Sequence, residues 1–145
     1  HEMRSLIYVT FIISLIGCSE PLSIIPGGGL SGQVQAAPGT WVNVPETIQV
    51  EWRSSDPYSI NIWGVGIEKD LYIATGEDGT TWSEFVSGDP NTRVRLATSL
   101  YELKAITVTD SAERDRVEAA YVAKYDLDKE DNWVHAGLIF RMDRR

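Results

Sequence analysis

The stretch INIWGVGIEKDLYIAT, residues 60–75, encodes two β-strands and the turn between them, and the fold follows from it. Residues 60–67 are almost entirely apolar, and Gly64 and Gly66 remove side chains from one face of the run. Such a run is typical of a central strand against which another segment packs closely. Residues 71–75 form a second apolar run after a polar Glu-Lys-Asp turn. The sequence therefore predicts a β-hairpin at the centre of the domain.

Alternation of apolar and polar residues predicts further strands on both sides of this hairpin. Ile48, Val50 and Trp52 alternate with polar residues, which is the pattern of a strand with one buried face. Similar runs predict three later strands, at residues 93–96, at residues 101–108 after a turn at Thr98 and Ser99, and at residues 134–142. With the hairpin, these runs make six strands.

One main helix is predicted between the fifth and sixth strands. Asp110 is its N-cap, and Glu113, three residues later, completes a capping box. An apolar face at helical spacing follows, formed by Val117, Ala120, Tyr121 and Tyr125. A shorter helical turn is predicted at residues 82–86, before Gly88-Asp89-Pro90. The fold class is accordingly mainly β (α+β), a six-stranded antiparallel barrel with one main α-helix between the fifth and sixth strands.

Composition narrows the functional classes. The chain has 145 residues, which is the length of one domain, and 43% of them are hydrophobic, enough for a packed core. Lys and Arg number 13 against 21 Asp and Glu, for a net charge of -8, so a groove that neutralises a nucleic-acid backbone is disfavoured. A single cysteine excludes an intrachain disulfide and any multi-cysteine metal site.

The first residues are typical of an export signal. Met3 and Arg4 form a short positive region, and an apolar run of about half the length of a transmembrane helix follows at residues 6–16. Its end, Leu15-Ile-Gly-Cys18, resembles the lipobox of bacterial lipoproteins. We therefore expect a signal peptide at residues 1–17, a lipid attached to Cys18, and a location in the cell envelope outside the cytoplasm. An ordinary secretory signal and a structural segment of the fold are the alternatives.

Residues 18–40 are predicted to be a flexible linker after the acylated cysteine. They are rich in Gly and Pro among small polar residues, the composition of a tether. Residues 41–145 then form the folded domain. The membrane, reached through the lipid, is the first expected partner.

Several motifs of this domain resemble those of the split β-barrel family of pyridoxamine-phosphate-oxidase-like and deazaflavin-dependent nitroreductase-like proteins. The resemblance covers about residues 41–145. It rests on Leu71-Tyr-Ile-Ala-Thr-Gly76, Gly79-Thr-Thr-Trp82, Asp89-Pro90, Arg93-Val-Arg95-Leu, Tyr101-Glu-Leu and Ala120-Tyr-Val-Ala-Lys-Tyr125. It implies a six-stranded split barrel, a flavin or deazaflavin such as FMN as cofactor, and a homodimer that builds the pocket across its interface.

The resemblance also implies where such a cofactor would bind. The matching positions are Thr75, Gly76, Thr80, Thr81 and Trp82, where hydroxyl and backbone groups would hold a phosphate and the indole would stack on a planar ring. The basic residue usual in this loop is absent. A cation would therefore come from a neighbouring strand, with Arg53 as the first candidate and Arg93 and Arg95 as the others.

No catalytic or metal-binding constellation is predicted. His135 is the one histidine after the signal peptide, and no Gly-x-Ser-x-Gly motif accompanies it. Three functions stay open. The first is an anchored lipoprotein that binds a small planar ligand or a partner, the second a flavin- or deazaflavin-dependent oxidoreductase, and the third a structural envelope protein.

Overall fold

Strands form in this chain where apolar side chains alternate with polar ones or follow one another in a short run. A computed structural model describes residues 20–22, 25–52, 55–75, 80–128, 130 and 133–145. For residues 80–83, 133 and 135 it describes the backbone only. The strands are β1 (Gln33–Gln35), β2 (Thr47–Trp52), β3 (Tyr58–Ile67), β4 (Asp70–Ala74), β5 (Asn91–Leu96), β6 (Ser99–Thr107) and β7 (Ile139–Arg144). The helices are α1 (Thr80–Gly88), α2 (Ser111–Tyr125) and α3 (Trp133–Ala136).

Six strands close into an antiparallel barrel. They are hydrogen-bonded in the order β6-β5-β2-β3-β4-β7, and β7 pairs in turn with β6. The closing pair places Ala105 opposite Met142. Strand β1 lies outside the ring as a seventh strand, parallel to β6. The predicted fold class is confirmed, with the main helix α2 between β6 and β7, the fifth and sixth strands of the barrel.

The hydrophobic core fills the inside of the barrel. Side chains of β2 are buried on its inner face, where Ile48 and Val50 have no exposed surface. Trp41, which precedes β2, joins this core and packs edge-on against Tyr101 with ring centroids 5.0 Å apart. The remaining buried members are Trp52, Ile62, Leu71, Ile73, Val94, Leu103, Ala105, Phe140 and Met142.

A second apolar cluster lies between the barrel wall and helix α2. The helix starts at its predicted N-cap, since the Asp110 carboxylate accepts the N–H of Glu113 at 2.9 Å. It ends at Asp126, which adopts a left-handed conformation with φ 52°. Val117 and Tyr121 are its buried residues. They pack with Val65, Tyr72, Ala74, Val108, Val134 and Ile139.

One half of the predicted capping box is wrong. The Glu113 carboxylate binds Tyr72 and Arg141 on the barrel instead of returning to the N-cap backbone. The turn between β5 and β6 is also one residue earlier than predicted, at Ala97 and Thr98, and Ala97 takes the left-handed φ of 53° that closes it.

The predicted last strand is wrong over its first residues. Residues 133–136 form the short helix α3, and β7 begins only at Ile139. Val134 is nevertheless buried, in the cluster beneath α2. A single helical turn can bury one side chain just as a strand can. The period-two pattern that continues from Val134 into β7 therefore could not distinguish a helical turn from a strand at residues 133–136.

The segment before the barrel packs on its outer surface, in contrast to the flexible tether that its composition predicts. We call residues 20–35 the strap. Its Gln33–Gln35 portion is strand β1, and Leu30 is buried. The Leu30 N–H donates to the buried Glu51 carboxylate at 2.5 Å. The strap therefore forms an outer layer over β2, β3 and β5.

In the part of the chain that the structure describes, no helix is both long enough and apolar enough to cross a membrane.

Candidate functional site

The predicted binding residues follow strands β2 and β4 or lie on helix α1. The two strands run in the same direction, because both are antiparallel to β3, but Trp52 pairs with Tyr58 at the start of β3 whereas Ile73 pairs with Gly64 six residues further along it. Thr75 directly follows β4. Arg53 follows Trp52 in sequence but, like Gly76, lies outside the described residues.

Thr75 is held by the segment that leads into β7. Its backbone N–H donates to the Leu138 carbonyl at 3.0 Å, and its hydroxyl accepts the Leu138 N–H at 3.2 Å. These two bonds fix the point where the chain leaves β4. The Thr75 hydroxyl is half-buried and already engaged, so it serves first to position the connection to α1.

Helix α1 contains the other three predicted residues. The backbone of Thr80, Thr81 and Trp82 forms its first turn, so Trp82 is a helical residue and not a loop residue. The N–H groups of a first helical turn lack partners within the helix and carry partial positive charge. They can therefore bind a phosphate or carboxylate where no basic side chain is present.

Aromatic contacts fix helix α1 against the barrel. Phe85 packs edge-on against Tyr58 with ring centroids 5.1 Å apart, and its ring lies 6.5 Å from that of Trp52. Tyr58 and Trp52 are the paired residues at the ends of β3 and β2. Helix α1 therefore lies at the end of the barrel where β2 ends and β3 begins.

The two other candidate cations lie on the outer face of the barrel. Arg95 pairs with Glu20 of the strap at 2.5 Å and also donates to the Gln49 side chain at 3.2 Å. Arg93 pairs with Glu102 at 3.4 Å, with both side chains partly exposed. Both guanidinium groups thus have acidic partners on the outer face.

Arg114 is a cation that the sequence analysis did not single out. Its guanidinium donates to the Gly137 carbonyl at 2.9 Å and to the Val108 carbonyl at 3.2 Å. Gly137 precedes the residue that binds Thr75. The helical spacing on α2 gave no signal for this role, because the contact depends on where the chain before β7 passes.

A charged cluster ties α2 to the barrel wall. The Tyr72 hydroxyl donates to Glu113 at 2.7 Å, and Arg141 donates to the same carboxylate at 3.0 Å. Burial, and then the hydrogen bond to Glu113, raises the pKa of Tyr72. Burial opposes ionisation of Glu113, but the bonds from Tyr72 and Arg141 outweigh it and lower its pKa. The carboxylate stays charged and the phenol stays protonated near neutrality, so the cluster is a fixed structural link.

Cavities open on the surface of the described residues. One of about 400 Å³ is lined by Thr47, Asn61, Ile62 and Trp63 on the outer face of β2 and β3. A second of about 240 Å³ lies between Trp41 and Lys124. The third, about 100 Å³, lies beside Trp52 and is lined further by Glu51, Asn91, Thr92, Arg93, Glu102 and Arg145.

No group of three His, Cys, Asp or Glu side chains that could hold a metal ion occurs among the described residues. The side chain of His135 and all of Cys18 are outside that part of the chain.

Comparison with known proteins places this architecture among split barrels. No family model matches the sequence, and no curated protein matches it significantly. Several solved structures share the fold. A "putative pyridoxamine 5′-phosphate oxidase" from Listeria innocua is 14% identical, with a TM-score of 0.53 over 68% of this chain and 82% of that one.

Two further structures have similarly low sequence identity to this chain. A "putative 5-nitroimidazole antibiotic resistance protein" from Bacteroides thetaiotaomicron is 13% identical, with a TM-score of 0.54 over 67% of this chain and 71% of that one. A FAD-binding protein from Mesorhizobium loti is 10% identical, with a TM-score of 0.52 over 70% and 82%. These likenesses confirm the split-barrel fold that the sequence motifs implied.

Proposed function

We propose that this split-barrel protein is an exported lipoprotein, anchored through Cys18, whose barrel binds a small planar ligand of the flavin class without a catalytic group of its own. The observation that carries the ligand proposal is the position of the first turn of α1. That turn includes the backbone of Trp82, begins five residues after Thr75, and presents the N–H groups of a helix N-terminus. A helix N-terminus favours the phosphate of such a ligand, and an indole favours its ring.

The fold comparison supports the choice of ligand class. One structural neighbour is named as FAD-binding and another for an oxidase of pyridoxamine 5′-phosphate, a phosphorylated aromatic ring. The absence of the usual loop cation leaves the helix N-terminus, Arg53 and Arg114 as the groups that would offset phosphate charge.

Ligand binding is tested by titrating the mature chain, residues 18–145 with Cys18→Ser, with FMN, FAD, a deazaflavin and haem. Tryptophan quenching and the thermal midpoint are followed together. A ligand at 100 times its Kd should stabilise the fold by about 2.7 kcal/mol. Saturable binding of a flavin or deazaflavin supports the proposal. No midpoint shift for any ligand, with folding and oligomeric state verified, contradicts it.

Trp82→Ala should weaken flavin binding by about tenfold, since stacking of a ring on an aromatic side chain contributes roughly 1–3 kcal/mol. The matched control is Trp63→Phe, which alters a tryptophan on β3 outside the predicted site. Affinities are compared by fluorescence and by the far-UV spectrum of each variant. Equal affinities in the two variants would remove Trp82 from the site.

The anchor is tested in the full chain. Cys18→Ser should abolish both acyl labelling and sedimentation with membranes, because each buried acyl methylene contributes about 0.8 kcal/mol to membrane binding. Ser19→Ala serves as the control that keeps the thiol. Retention of the Cys18→Ser chain in a salt-washed membrane pellet would exclude the lipid anchor.

A flavin- or deazaflavin-dependent oxidoreductase is the second candidate. The naming of one structural neighbour as an oxidase favours it. In that case the flavin would supply the redox chemistry, and this chain would bind and orient it. Reduction of bound flavin by a nicotinamide donor, with turnover of an acceptor, would distinguish this activity from simple binding, and a homodimer with ligand bound across its interface would favour it.

A further inference from the structure

The start of the strap is fixed to the barrel by its first described residue. The Glu20 carboxylate pairs with Arg95 at 2.5 Å and accepts the Ser31 hydroxyl at 2.5 Å. Arg95 also donates to the Ser31 carbonyl at 3.0 Å. Both ends of a loop are thereby tied to one guanidinium on β5.

Strand β3 holds the same loop from the other side. The Asn61 side-chain amide donates to the Leu22 carbonyl at 2.6 Å and to the Pro21 carbonyl at 3.3 Å. Gly27 and Ser59 exchange two backbone hydrogen bonds of 2.8 Å. The strap is therefore held to the barrel at Glu20, at Pro21 and Leu22, and again at Gly27, before strand β1 begins.

This attachment shortens the tether to the membrane. Cys18 precedes Glu20 by two residues, and an extended chain spans at most about 3.6 Å per residue, so the two Cα atoms lie within about 7 Å of each other. If Cys18 carries the lipid, as proposed above, Glu20 lies next to the headgroups. The barrel surface around Glu20 and Asn61 must then face the bilayer at close range.

That surface carries exposed apolar side chains. Leu22 is 59% exposed, Ile25 is 56% exposed and Trp63 is 38% exposed. Asn61 connects them, because it binds Leu22 and also lines the 400 Å³ groove beside Trp63. Trp63 is held flat against Tyr125, with ring centroids 4.4 Å apart and planes inclined by 8°. Aromatic side chains of this kind are enriched at membrane interfaces.

We propose that Leu22, Ile25 and Trp63 form a docking surface for the bilayer in which the Cys18 lipid is inserted. The contact is apolar, since the chain carries a net charge of -8 and Glu20 is neutralised by Arg95. An electrostatic attraction to anionic lipids would require the opposite sign. The strap and the lipid together set the orientation of the barrel on the membrane, with the β2–β3 face inward.

The test uses the acylated full-length protein in phosphatidylethanolamine–phosphatidylglycerol vesicles that contain phosphatidylcholine brominated in its acyl chains. Bromine quenches tryptophan that reaches the interface. We expect quenching in the wild type and a loss of that quenching by at least about twofold in Trp63→Phe, because an interfacial indole lies at the level of the headgroups. The effect should not depend on salt or on the phosphatidylglycerol fraction.

Arg95→Gln tests the strap separately. It removes the charge partner of Glu20 and lengthens the tether, so bromolipid quenching should fall while sedimentation with vesicles persists. Arg93→Gln is the matched control, because Arg93 is on the same strand and face but pairs with Glu102. Leu22→Ser removes an apolar side chain of the proposed surface and should also lower bromolipid quenching. Val34→Ser is its control and should not, since Val34 is also 59% exposed but lies on β1, beyond β6.

The outcomes separate the two proposals. Absence of an acyl group in the mass spectrum would remove the anchor, and the docking surface with it. An acylated, vesicle-bound protein with equal bromolipid quenching in the wild type and Trp63→Phe would overturn the docking surface alone. Protection of Trp63 from acrylamide in a lipid-free dimer would show that a second copy of the chain covers this face, and would equally overturn it.

Discussion

At Gly66 the backbone of β3 lies directly against the segment that precedes β2. A Cβ atom built at this position would overlap the Trp41 carbonyl oxygen and lie 2.8 Å from the Trp41 Cβ. Trp41 cannot shift away, since its ring is buried in the barrel core and its backbone N–H donates to the Glu68 carbonyl at 2.7 Å. The close approach that the glycines of residues 60–67 predicted is therefore found at Gly66, where the neighbouring segment is Trp41.

Gly66→Ala should destabilise the domain by about 3 kcal/mol, because the added methyl group meets backbone that cannot rotate away. Gly39→Ala is the control, as no atom lies within 4 Å of its Cβ position, and it should change the free energy of unfolding by less than about 0.5 kcal/mol. Urea unfolding of both variants measures the difference. Equal midpoints would contradict the close approach.

Helix α2 depends on its first turn and on the barrel beneath it. Only Val117 and Tyr121 are buried among its fifteen residues. Tyr125 adds an aromatic stack on Trp63. Polar links hold both ends, since Arg141 and Tyr72 bind Glu113 at one end and Lys124 donates to the Pro45 carbonyl at 2.8 Å at the other. The hydrogen bond from the Glu113 N–H to the Asp110 N-cap is thus a main interaction that fixes the start of the helix.

Asp110→Ala should cost about 1 kcal/mol of stability, because the Glu113 N–H loses its acceptor at the start of the helix. Asp110→Asn should stay close to the wild type, since an asparagine oxygen accepts the same bond. Thermal and urea unfolding of the pair separates the cap from a simple charge effect. If Asn and Ala are equally destabilising, the carboxylate acts through its charge alone.

The elements differ in how well the sequence predicts them, and burial explains why. Strands β5 and β6 and the first part of β2 alternate buried side chains with more exposed ones, and β3 and β4 are apolar runs joined by a polar turn, so both patterns are readable in the sequence. Strand β1 contains two exposed glutamines and an exposed valine, and only its pairing with β6 defines it. Thr75 and the start of α1 were found through local motifs, whereas Arg114 acts through contacts between distant segments that no local pattern encodes.

In the whole molecule, the stability at low pH depends on two carboxylates that pair with arginine. The hydrogen bond from Arg95 lowers the pKa of Glu20 from 4.5 to about 2. The pKa of Glu113 is also lowered, because the hydrogen bonds from Tyr72 and Arg141 outweigh the effect of its burial. Both groups bind protons more readily in the unfolded chain than in the folded one.

The contribution of these two carboxylates to the free energy of unfolding should therefore be constant above about pH 6 and fall as the pH drops from about 5 towards 2, because the unfolded state takes up protons first. In Arg95→Gln the fall should be shallower, since Glu20 no longer has a lowered pKa. Denaturant titrations at stepwise pH values measure both curves. Identical slopes in the two proteins would show that the Glu20–Arg95 pair is not formed in solution.

The strap also has a consequence for the order in which the chain matures. Ser31 and Arg95 are 64 residues apart, and β1 pairs with a strand that follows both. A polypeptide that emerges with its N-terminus first cannot complete these contacts until β5 and β6 have been synthesised or translocated. Throughout that interval the strap lacks these partners on the barrel. Strand β7, which pairs with β4 and β6 and closes the ring, is then the one strand still to be added.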